Sequence, residues 1–458
     1  MRICSQYGVG VLRQDRGWGV AVSGRGSKAL EEHCEYWKVK RMQRCYTLKG
    51  MLQGTNRVLC YGTGNAAELF VRYCARNGIE IADFLVTQRN STEESFHNKR
   101  VWQVNEYPRP FTIGIVVAVV FPQYAQEIID NLRDENVKVL WLYDDKNYIH
   151  AIRAALRKQI RKRAKLSIFD IKQLAAPLYY EDIAGTGYLF YGIYKAVQKY
   201  TKHSQMQIKQ CGISHGSSDS TLIVGIDKYL AERYGALYVC GGEYIWEQRV
   251  PQSVNVHYLS PYILYAKPLL SHRSLQRIKR RLKRTLLVFP LHSVDEQEYT
   301  TYDTDAFIKR IEAVRQEHRY DSVMVCMYWH DVLTHKYVPY QNQGWKVVTA
   351  GHRLDTNFLR RLRSIISLAD MVVTNGVGTH IGYAVCLNKP VYVLDLPSYN
   401  TAFDVNGEKY GAAYARESAQ EADKSGNEIK AAFGPYSEVL KQEQIAVVRK
   451  YWGKWTLC

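Results

Sequence analysis

The stretch from Gly344 to Asp395 limits the fold of this chain more strongly than any other. It contains three short apolar runs rich in β-branched residues, and the segment between the first two has the apolar spacing of a helix. The order is therefore strand, helix, strand, turn, helix, strand, which is typical of a parallel sheet flanked by helices. The three runs are Trp345 to Thr349, Met371 to Thr374 and Pro390 to Leu394.

A turn with two glycines follows the second of these strands and begins the next helix. It reads Asn375-Gly376-Val377-Gly378-Thr379-His380, and glycines let backbone amides come close to a group at the positive end of a helix. Ligands of open α/β sheets bind outside the carboxyl ends of the strands, so Gly351-His352-Arg353 is predicted to face the same crevice. Arginine, histidine and asparagine at strand ends favour a phosphate site. The alternative is that the glycines only turn the chain tightly.

Length and charge set the broad class. A chain of 458 residues is too long for one compact core and suits two α/β lobes, possibly three domains. The net charge of +18, from 62 Lys+Arg against 44 Asp+Glu, predicts an anionic partner. Nucleic acid, a phosphorylated small molecule, an acidic polysaccharide and an anionic membrane face all fit.

Targeting and cysteine patterns indicate a cytoplasmic protein. The longest apolar stretch, Ile113 to Phe121, is far shorter than the roughly 20 residues of a membrane span and is predicted to be a buried strand. The N-terminus shows no apolar signal-peptide core. Ten cysteines lack C-x-x-C spacing, so neither disulfides nor a cysteine metal site are expected.

Alternating strands and helices divide the chain into three predicted parts. Residues 1–54 form a lead-in helix region, 55–272 a first Rossmann-like lobe, and 285–458 a second one whose last helix, Ser437 to Trp452, crosses back onto the first. Gly62-Thr63-Gly64-Asn65-Ala66-Ala67 fits a dinucleotide-binding turn, but Thr87-Gln88-Arg89 stands where that pattern needs an acidic residue. A plain Rossmann-like lobe is therefore preferred to an NAD site.

Two basic clusters stand out. The helix Ile149 to Leu166 carries seven cations, and Arg273 to Arg284 is predicted to link the lobes. Such clusters are usually solvated helix faces, but they also suit contact with anionic lipid head groups. The seven cations are Arg153, Arg157, Lys158, Arg161, Lys162, Arg163 and Lys165.

Several strand ends together resemble a known group of enzymes. The chain resembles the two-lobed GT-B glycosyltransferases of bacterial surface polysaccharide synthesis, particularly the capsule and the sialic-acid or Kdo group. The likeness covers about the last 250 residues, although the E-x-x-x-x-x-x-E donor motif of common retaining enzymes is not found in that region. It rests on Ile213 to Gly216, Leu287 to Ser293, Met327 to Asp331, Ala350 to Arg353, Ala369 to His380 and Asn388 to Pro390.

Sugar transfer requires a base for the acceptor hydroxyl and groups that hold the departing phosphate. His215, after a predicted strand Gln207 to Ser214 in the first lobe, is the candidate base, and Asp219 is a second candidate that could equally cap a helix. His330 and Asp331 are expected to brace the loops instead. The predicted donor-binding residues of the second lobe are His292, Ser293, His352, Arg353, Asn375, Gly376, Gly378, Thr379 and His380.

The leading hypothesis is a metal-independent glycosyltransferase that needs no cofactor. Its expected partners are a nucleotide sugar, a polysaccharide or lipid-linked glycan acceptor, and the anionic inner face of the cytoplasmic membrane. A sugar-nucleotide epimerase of the same fold is the second hypothesis. A non-catalytic basic scaffold or nucleic-acid-binding protein is the third, but no nucleic-acid module is found in the sequence.

Overall fold

The structure, a computed structural model, divides into two compact units, Met1–His150 and Ala151–Cys458. The division lies at a different point from the predicted linker, and the predicted lobe boundaries stay a prediction. The residues that the structure describes are 47–88, 94–119, 122–178, 191–193, 196, 212–217, 235–241, 252–293, 298–402 and 425–455.

The first unit contains a six-stranded sheet with the order β3-β4-β2-β1-β5-β6, in which only the β3–β4 pair is antiparallel. The strands are β1 (Arg57–Tyr61), β2 (Glu80–Val86), β3 (Ser95–Phe96), β4 (Lys99–Gln103), β5 (Ile115–Val117) and β6 (Val139–Trp141). The helices are α1 (Leu48–Met51), α2 (Asn65–Asn77) and α3 (Pro122–Asn131), with 3-10 turns at Val104–Glu106, Arg133–Glu135 and Leu142–Asp144, and α4 (Lys146–Arg163) begins in this unit and ends in the second.

The glycine turn of this unit joins β1 to α2. Gly62 has φ +115°, and a Cβ there would lie 2.9 Å from the carbonyl oxygen of Ala118, so only glycine fits. Glu68, in the first turn of α2, pairs with Arg72 at 3.0 Å and with His97. These pairs hold the Glu68 carboxylate near the N-terminal end of α2. A helix end of this kind attracts anions, and here the carboxylate already lies beside it.

The second unit contains a five-stranded parallel sheet with the order β13-β12-β10-β14-β15. The central strand β10 lies between β12 and β14, so the direction of the strand order reverses at the β10–β14 pair. The five parallel strands of the first unit follow the same order, and the prediction of an α/β fold with Rossmann-like parallel sheets flanked by helices is confirmed. The strands are β10 (Thr285–Phe289), β12 (Ser322–Cys326), β13 (Lys346–Val348), β14 (Met371–Thr374) and β15 (Val391–Val393).

Helices cover both faces of this sheet. Leu287 of β10 belongs to a core that includes α10, α11 and α13, whereas Leu286 belongs to the opposite core with α7, as the two-residue period of a strand requires. The helices are α5 (Ile171–Ala175), α6 (His272–Leu282), α7 (Thr304–Glu317), α8 (Trp329–Leu333), α9 (Val338–Asn342), α10 (Phe358–Ser367), α11 (Thr379–Cys386), α12 (425–433) and α13 (Gln442–Trp452), with a 3-10 turn at Tyr262–Tyr265.

Two small sheets complete the second unit. β7 (Gly212–Ser217), β8 (Ala236–Cys240) and β9 (Asn255–Leu259) form a parallel sheet, while β11 (Glu298–Tyr302) and β16 (Ser398–Ala402) form an antiparallel pair. The C-terminal helix α13 shares a hydrophobic core with Cys240 of β8 and Leu259 of β9.

The packing of α13 depends on close contacts. A Cβ on Gly382 of α11 would lie 2.4 Å from the Trp452 ring, so the two helices meet at a glycine. The carbonyl oxygen of Trp452 accepts from the Cys240 thiol at 3.3 Å, and Ser260 donates to the carbonyl of Lys454 at 2.8 Å. The last helix is therefore tied to the three-stranded sheet.

Two sequence-based boundaries are corrected. The last helix begins at Gln442, not at Ser437, because Tyr436 and Glu438 instead bind Tyr320 and Arg284 at 3.0 and 2.6 Å. The strand predicted to end at Ser214 continues to Ser217, which pairs with Cys240, and residues 207–211 of that prediction lie outside the described ranges. The polar segment Ser398 to Gly434 contains β16 and α12, and its residues 403–424 lie outside the described ranges.

The first basic cluster also requires a correction. Arg163 is buried and donates to the carbonyls of Leu174 at 3.2 Å and Ala176 at 2.5 Å, so it braces α5 and is not a solvated cation. The other six cations of the cluster are exposed. None of the helices in the described ranges is long and apolar enough to cross a bilayer.

Candidate functional site

Four loops meet at the carboxyl edge of the five-stranded sheet, where its strand order reverses. They follow β10, β12, β13 and β14 and carry seven of the nine predicted donor-binding residues, and the other two, Thr379 and His380, lie in the first turn of α11. Ligands of parallel sheets bind at such a reversal point. The four loops are 290–293, 327–328, 349–357 and 375–378.

The first and fourth loops are joined by Asn375. Its side-chain oxygen accepts from the Leu291 amide at 2.8 Å, while its Nδ2 is buried and has no acceptor among the described residues. Asn375 as a whole is only 2% exposed. Because an unsatisfied buried donor costs about 1–3 kcal/mol, the amide is poised for an acceptor that enters from outside the chain.

The glycines of the fourth loop serve close packing. A Cβ on Gly376 would lie 2.2 Å from the Leu291 side chain, and one on Gly378 would lie 3.0 Å from Nδ1 of His380. Thr374 holds the turn, because its hydroxyl donates to the Gly376 carbonyl at 3.0 Å. The turn therefore lies directly against the β10 loop.

The helix that follows, α11, starts at Thr379 with Gly378 as a cap that has no side chain to offer. The first amides of a helix point out of its end and attract anions. His380, in this first turn, stacks on Phe289 with ring centroids 4.9 Å apart. Burial lowers the pKa of His380 to about 3, so the ring is neutral near pH 7 and adds no charge.

His292 and Ser293 occupy the loop after β10. The exposed His292 ring stacks on Tyr328 at 4.2 Å, which connects the first loop to the second. Ser293 is buried, and its hydroxyl oxygen accepts from Lys336 Nζ at 2.7 Å. Lys336 also lies 3.4 Å from Asp331, whose pKa is raised by burial in spite of that cation.

Asp331 and His330 thus belong to a short helix, α8, and not to an open loop. Both are buried, at 1% and 5% exposed, and Asp331 accepts from the Ser293 amide at 3.4 Å. The expectation that they brace the loops agrees with these contacts.

The third loop carries His352 and Arg353. The His352 ring lies 4.4 Å from the Trp329 ring, and the Arg353 guanidinium carbon lies 5.6 Å from the centroid of the same ring. The Leu354 amide donates to Nδ1 of His352 at 3.2 Å, which leaves the proton of the neutral ring on Nε2. Burial, with Arg163 and Arg353 nearby, lowers the pKa of His352 to about 3.

A buried ion pair that sequence reasoning missed holds this loop in place. Arg361 of α10 and Asp355 are both fully buried and lie 3.1 Å apart, and Arg361 also donates to the Ala350 carbonyl at 2.5 Å. A Cβ on Gly351, which has φ +98°, would lie 2.8 Å from the guanidinium. The available sequence signal was a cation within the amphipathic helix, next to the apolar positions Leu359 and Leu362.

One of the two candidate catalytic residues is described, and it lies elsewhere. His215 belongs to β7 of the three-stranded sheet, in the irregular stretch of its ladder between Ile213 and Ser217, and Asp219 lies outside the described residues. The contacts above therefore connect the donor-binding residues to one another and do not include either candidate base.

Comparisons with known proteins give a weak likeness. No family model and no curated protein matches the chain. Three solved structures with similar folds are MurG of Acinetobacter baumannii, the wall teichoic acid polymerase TagF, and a UDP-GlcNAc 2-epimerase of Methanocaldococcus jannaschii.

For MurG the identity is 10%, the match covers 81% of this chain and 84% of that one, and the TM-score is 0.23. For TagF the identity is 11%, the match covers 67% of this chain and 93% of that one, and the TM-score is 0.29. For the epimerase the identity is 9%, the match covers 84% of this chain and 95% of that one, and the TM-score is 0.29. At such values the likenesses carry no argument about function.

Proposed function

We propose that this protein is a glycosyltransferase that moves a sugar from a nucleotide-sugar donor to a glycan acceptor. The observation that carries the proposal is the Asn375 amide, buried without an acceptor at the reversal point of a parallel sheet, beside the first turn of α11. An incoming phosphate oxygen would satisfy the amide and the helix end together.

The charge of the site supports a phosphate ligand held chiefly by neutral donors. Arg353 is the one permanently charged side chain of the nine predicted residues, and His352 and His380 stay neutral because burial lowers the pKa of each. A helix end contributes about 0.3–1 kcal/mol to a nearby anion, and a charge-assisted hydrogen bond about 1.5–3 kcal/mol. In this proposal Arg353 and these donors stabilise the leaving nucleotide, and the reaction needs no metal.

Acceptor activation is assigned to His215. A base must take the proton of the attacking hydroxyl while the bond between sugar and phosphate breaks. His215 follows Ser214 in β7, in a sheet other than the one that carries the donor loops, and Asp219 is the second candidate.

The proposed setting is the synthesis of a bacterial surface polysaccharide of the capsule type, with a sialyl- or Kdo-transferase as the finer assignment. The acceptor is then a polysaccharide or a lipid-linked glycan at the inner face of the cytoplasmic membrane. The exposed cations of the two basic clusters support attachment to an anionic surface, since each contributes about 1 kcal/mol there. Arg163 is excluded, because it is buried.

The test is incubation of the purified protein with a panel of nucleotide sugars, with and without a lipid-linked or polysaccharide acceptor, in the presence and absence of a metal chelator. We expect nucleotide release that depends on acceptor and is unaffected by the chelator. Release or isomerisation of the donor without acceptor would identify an epimerase instead. Binding of no nucleotide sugar in the panel would contradict both enzyme assignments.

A further inference from the structure

A cleft of about 890 Å³ opens at the other edge of the five-stranded sheet. Leu282 precedes β10 and Trp345 precedes β13, so both mark the amino ends of the strands, whereas the candidate donor site lies at the carboxyl ends. Ligand sites commonly have volumes of about 300–1,000 Å³. The cleft is thus large enough for a ligand and separate from the donor loops.

The floor of the cleft is apolar, and two of its six residues are aromatic. It is formed by six residues that range from buried to half-buried. Phe169, at the rim, is 37% exposed, which is unusual for an aromatic side chain that could pack inside. The floor residues are Ile171, Ile278, Leu282, Tyr337, Trp345 and Val347.

The rim is cationic. Lys172, Arg281 and Lys346 are exposed, and none of them forms an ion pair with any residue that the structure describes. The single carboxylate of the lining, Asp170, accepts instead from the Ser167 amide at 2.9 Å. Three cations therefore surround an apolar floor with one carboxylate among them.

Neighbouring cations of the second basic cluster differ in this respect. Lys279 pairs with Asp370, and Arg284 binds Glu438 at 2.6 Å. These two serve the fold, whereas Arg281, between them in sequence, points its charge to the cleft lining. The second basic cluster thus contains structural cations and one that is available to a ligand.

The cleft brings a cation of the second basic cluster close to the segment that follows the first cluster. Phe169 and Lys172 follow four and seven residues after the last cation of the first cluster, Lys165, and Arg281 belongs to the second cluster, more than 100 residues later. Lys346 belongs to neither cluster. Only the folded chain brings the three cations to one opening.

We propose that this cleft binds the phosphate head group and the first carbons of an anionic membrane phospholipid, with Phe169 inserted beside the chain. Three cations complement a phosphate diester, and the apolar floor complements the attached chain. The inference rests on the membrane attachment suggested above and replaces a diffuse attraction between charged surfaces with a defined lipid site.

The test compares two triple variants that remove equal charge, in co-sedimentation with phosphatidylcholine vesicles with and without phosphatidylglycerol. The cleft variant is Lys172→Ala, Arg281→Ala and Lys346→Ala, and the control is Arg273→Ala, Arg277→Ala and Arg280→Ala on the exposed face of α6. At salt concentrations that screen the outer surface, we expect the cleft variant to bind anionic vesicles at least about tenfold more weakly than the control. Equal loss in both would overturn the lipid site.

A second pair of variants changes no charge. Phe169→Gln removes the apolar rim residue, and Val439→Gln removes an apolar side chain that is 70% exposed and outside the cleft. Only Phe169→Gln is expected to weaken vesicle binding, and no difference between the two would contradict insertion.

A soluble ligand is the competing source of the phosphate. If glycerol phosphate alone binds the wild-type protein and loses affinity in the cleft variant, the ligand is a free phosphoester and the lipid assignment is wrong. Thermal melting verifies that each variant is folded. Nucleotide-sugar binding, measured on the same variants, is expected to be unchanged. The two assays are independent, so a failure of the transferase assignment and a failure of the lipid site give different results.

Discussion

Arg353 is the residue whose charge matters most at the candidate donor site. Its guanidinium lies 5.6 Å from the Trp329 ring centroid, in the loop after β13. We expect Arg353→Ala to weaken nucleotide binding by about 1.5–3 kcal/mol, the range for a charge-assisted hydrogen bond. Calorimetry measures the effect, and Arg353→Lys is the control that keeps the charge but loses the planar fork. Unchanged affinity in a folded Arg353→Ala protein would remove this residue from the site.

The low pKa of the neighbouring His352 predicts how the stability of the fold depends on pH. His352 has a pKa of about 3 in the fold, against about 6.5 in an unfolded chain. Between those two pH values the unfolded chain therefore binds a proton on this histidine and the folded chain does not. His352 leaves the free energy of unfolding unaffected above pH 6.5 and lowers it progressively as the pH falls toward 3. The loss is up to about 1.4 kcal/mol per pH unit. We expect His352→Gln to flatten this part of a plot of melting temperature against pH, and an identical slope in the variant would refute the assignment.

At the scale of elements, the turn between β14 and α11 depends on a side chain being absent. A Cβ on Gly376 would lie 2.2 Å from Leu291, which belongs to the loop after β10. We expect Gly376→Ala to displace that loop, to destabilise the protein by about 1–3 kcal/mol as overpacking does, and to weaken nucleotide binding as well.

Gly64→Ala is the matched control. Gly64 also precedes a helix, α2, but a Cβ there meets nothing within 4 Å. We expect nearly unchanged stability in that variant. Melting curves of the two proteins give the comparison, and equal effects would mean that the contact with Leu291 is not what requires glycine at 376.

At the scale of the whole molecule, donor and acceptor roles are assigned to different sheets. Cys240 of β8 and Leu259 of β9 belong to the same core as residues of α11 and α13, so the sheet that carries His215 is packed on the helix that begins at the donor turn. If His215 is the base, His215→Ala should lower turnover about a hundredfold or more and leave nucleotide affinity nearly intact. Single-turnover kinetics and calorimetry separate the two quantities, and a parallel loss of both would make His215 a structural residue.

Strand positions in the second unit were largely predictable. β14 was predicted as Met371 to Thr374 and is found there, because four consecutive apolar or β-branched residues suit a strand covered on both faces. The helix α13 was not placed correctly at its start, because distant partners hold Tyr436 and Glu438. Local propensity cannot report contacts with residues more than 100 positions away.

The candidate site shows the same limit. The glycine turn and the loop with Arg353 were found in the sequence, since residue type and position after a strand are local facts. The neutral state of His352 and His380 was not, because burial sets the pKa of a histidine and burial is a property of the packed chain.

The sequence by itself determined the alternation of strands and helices, the strand ends that carry polar residues, and the excess of positive charge. Only the tertiary structure decided which cations serve the fold. Arg163 and Arg361 are buried among carbonyls and a carboxylate, whereas Arg281 and Lys346 line a cleft. The four look alike in a sequence, because the role of a charged side chain depends on whether water or protein surrounds it, and the packing of distant segments decides that.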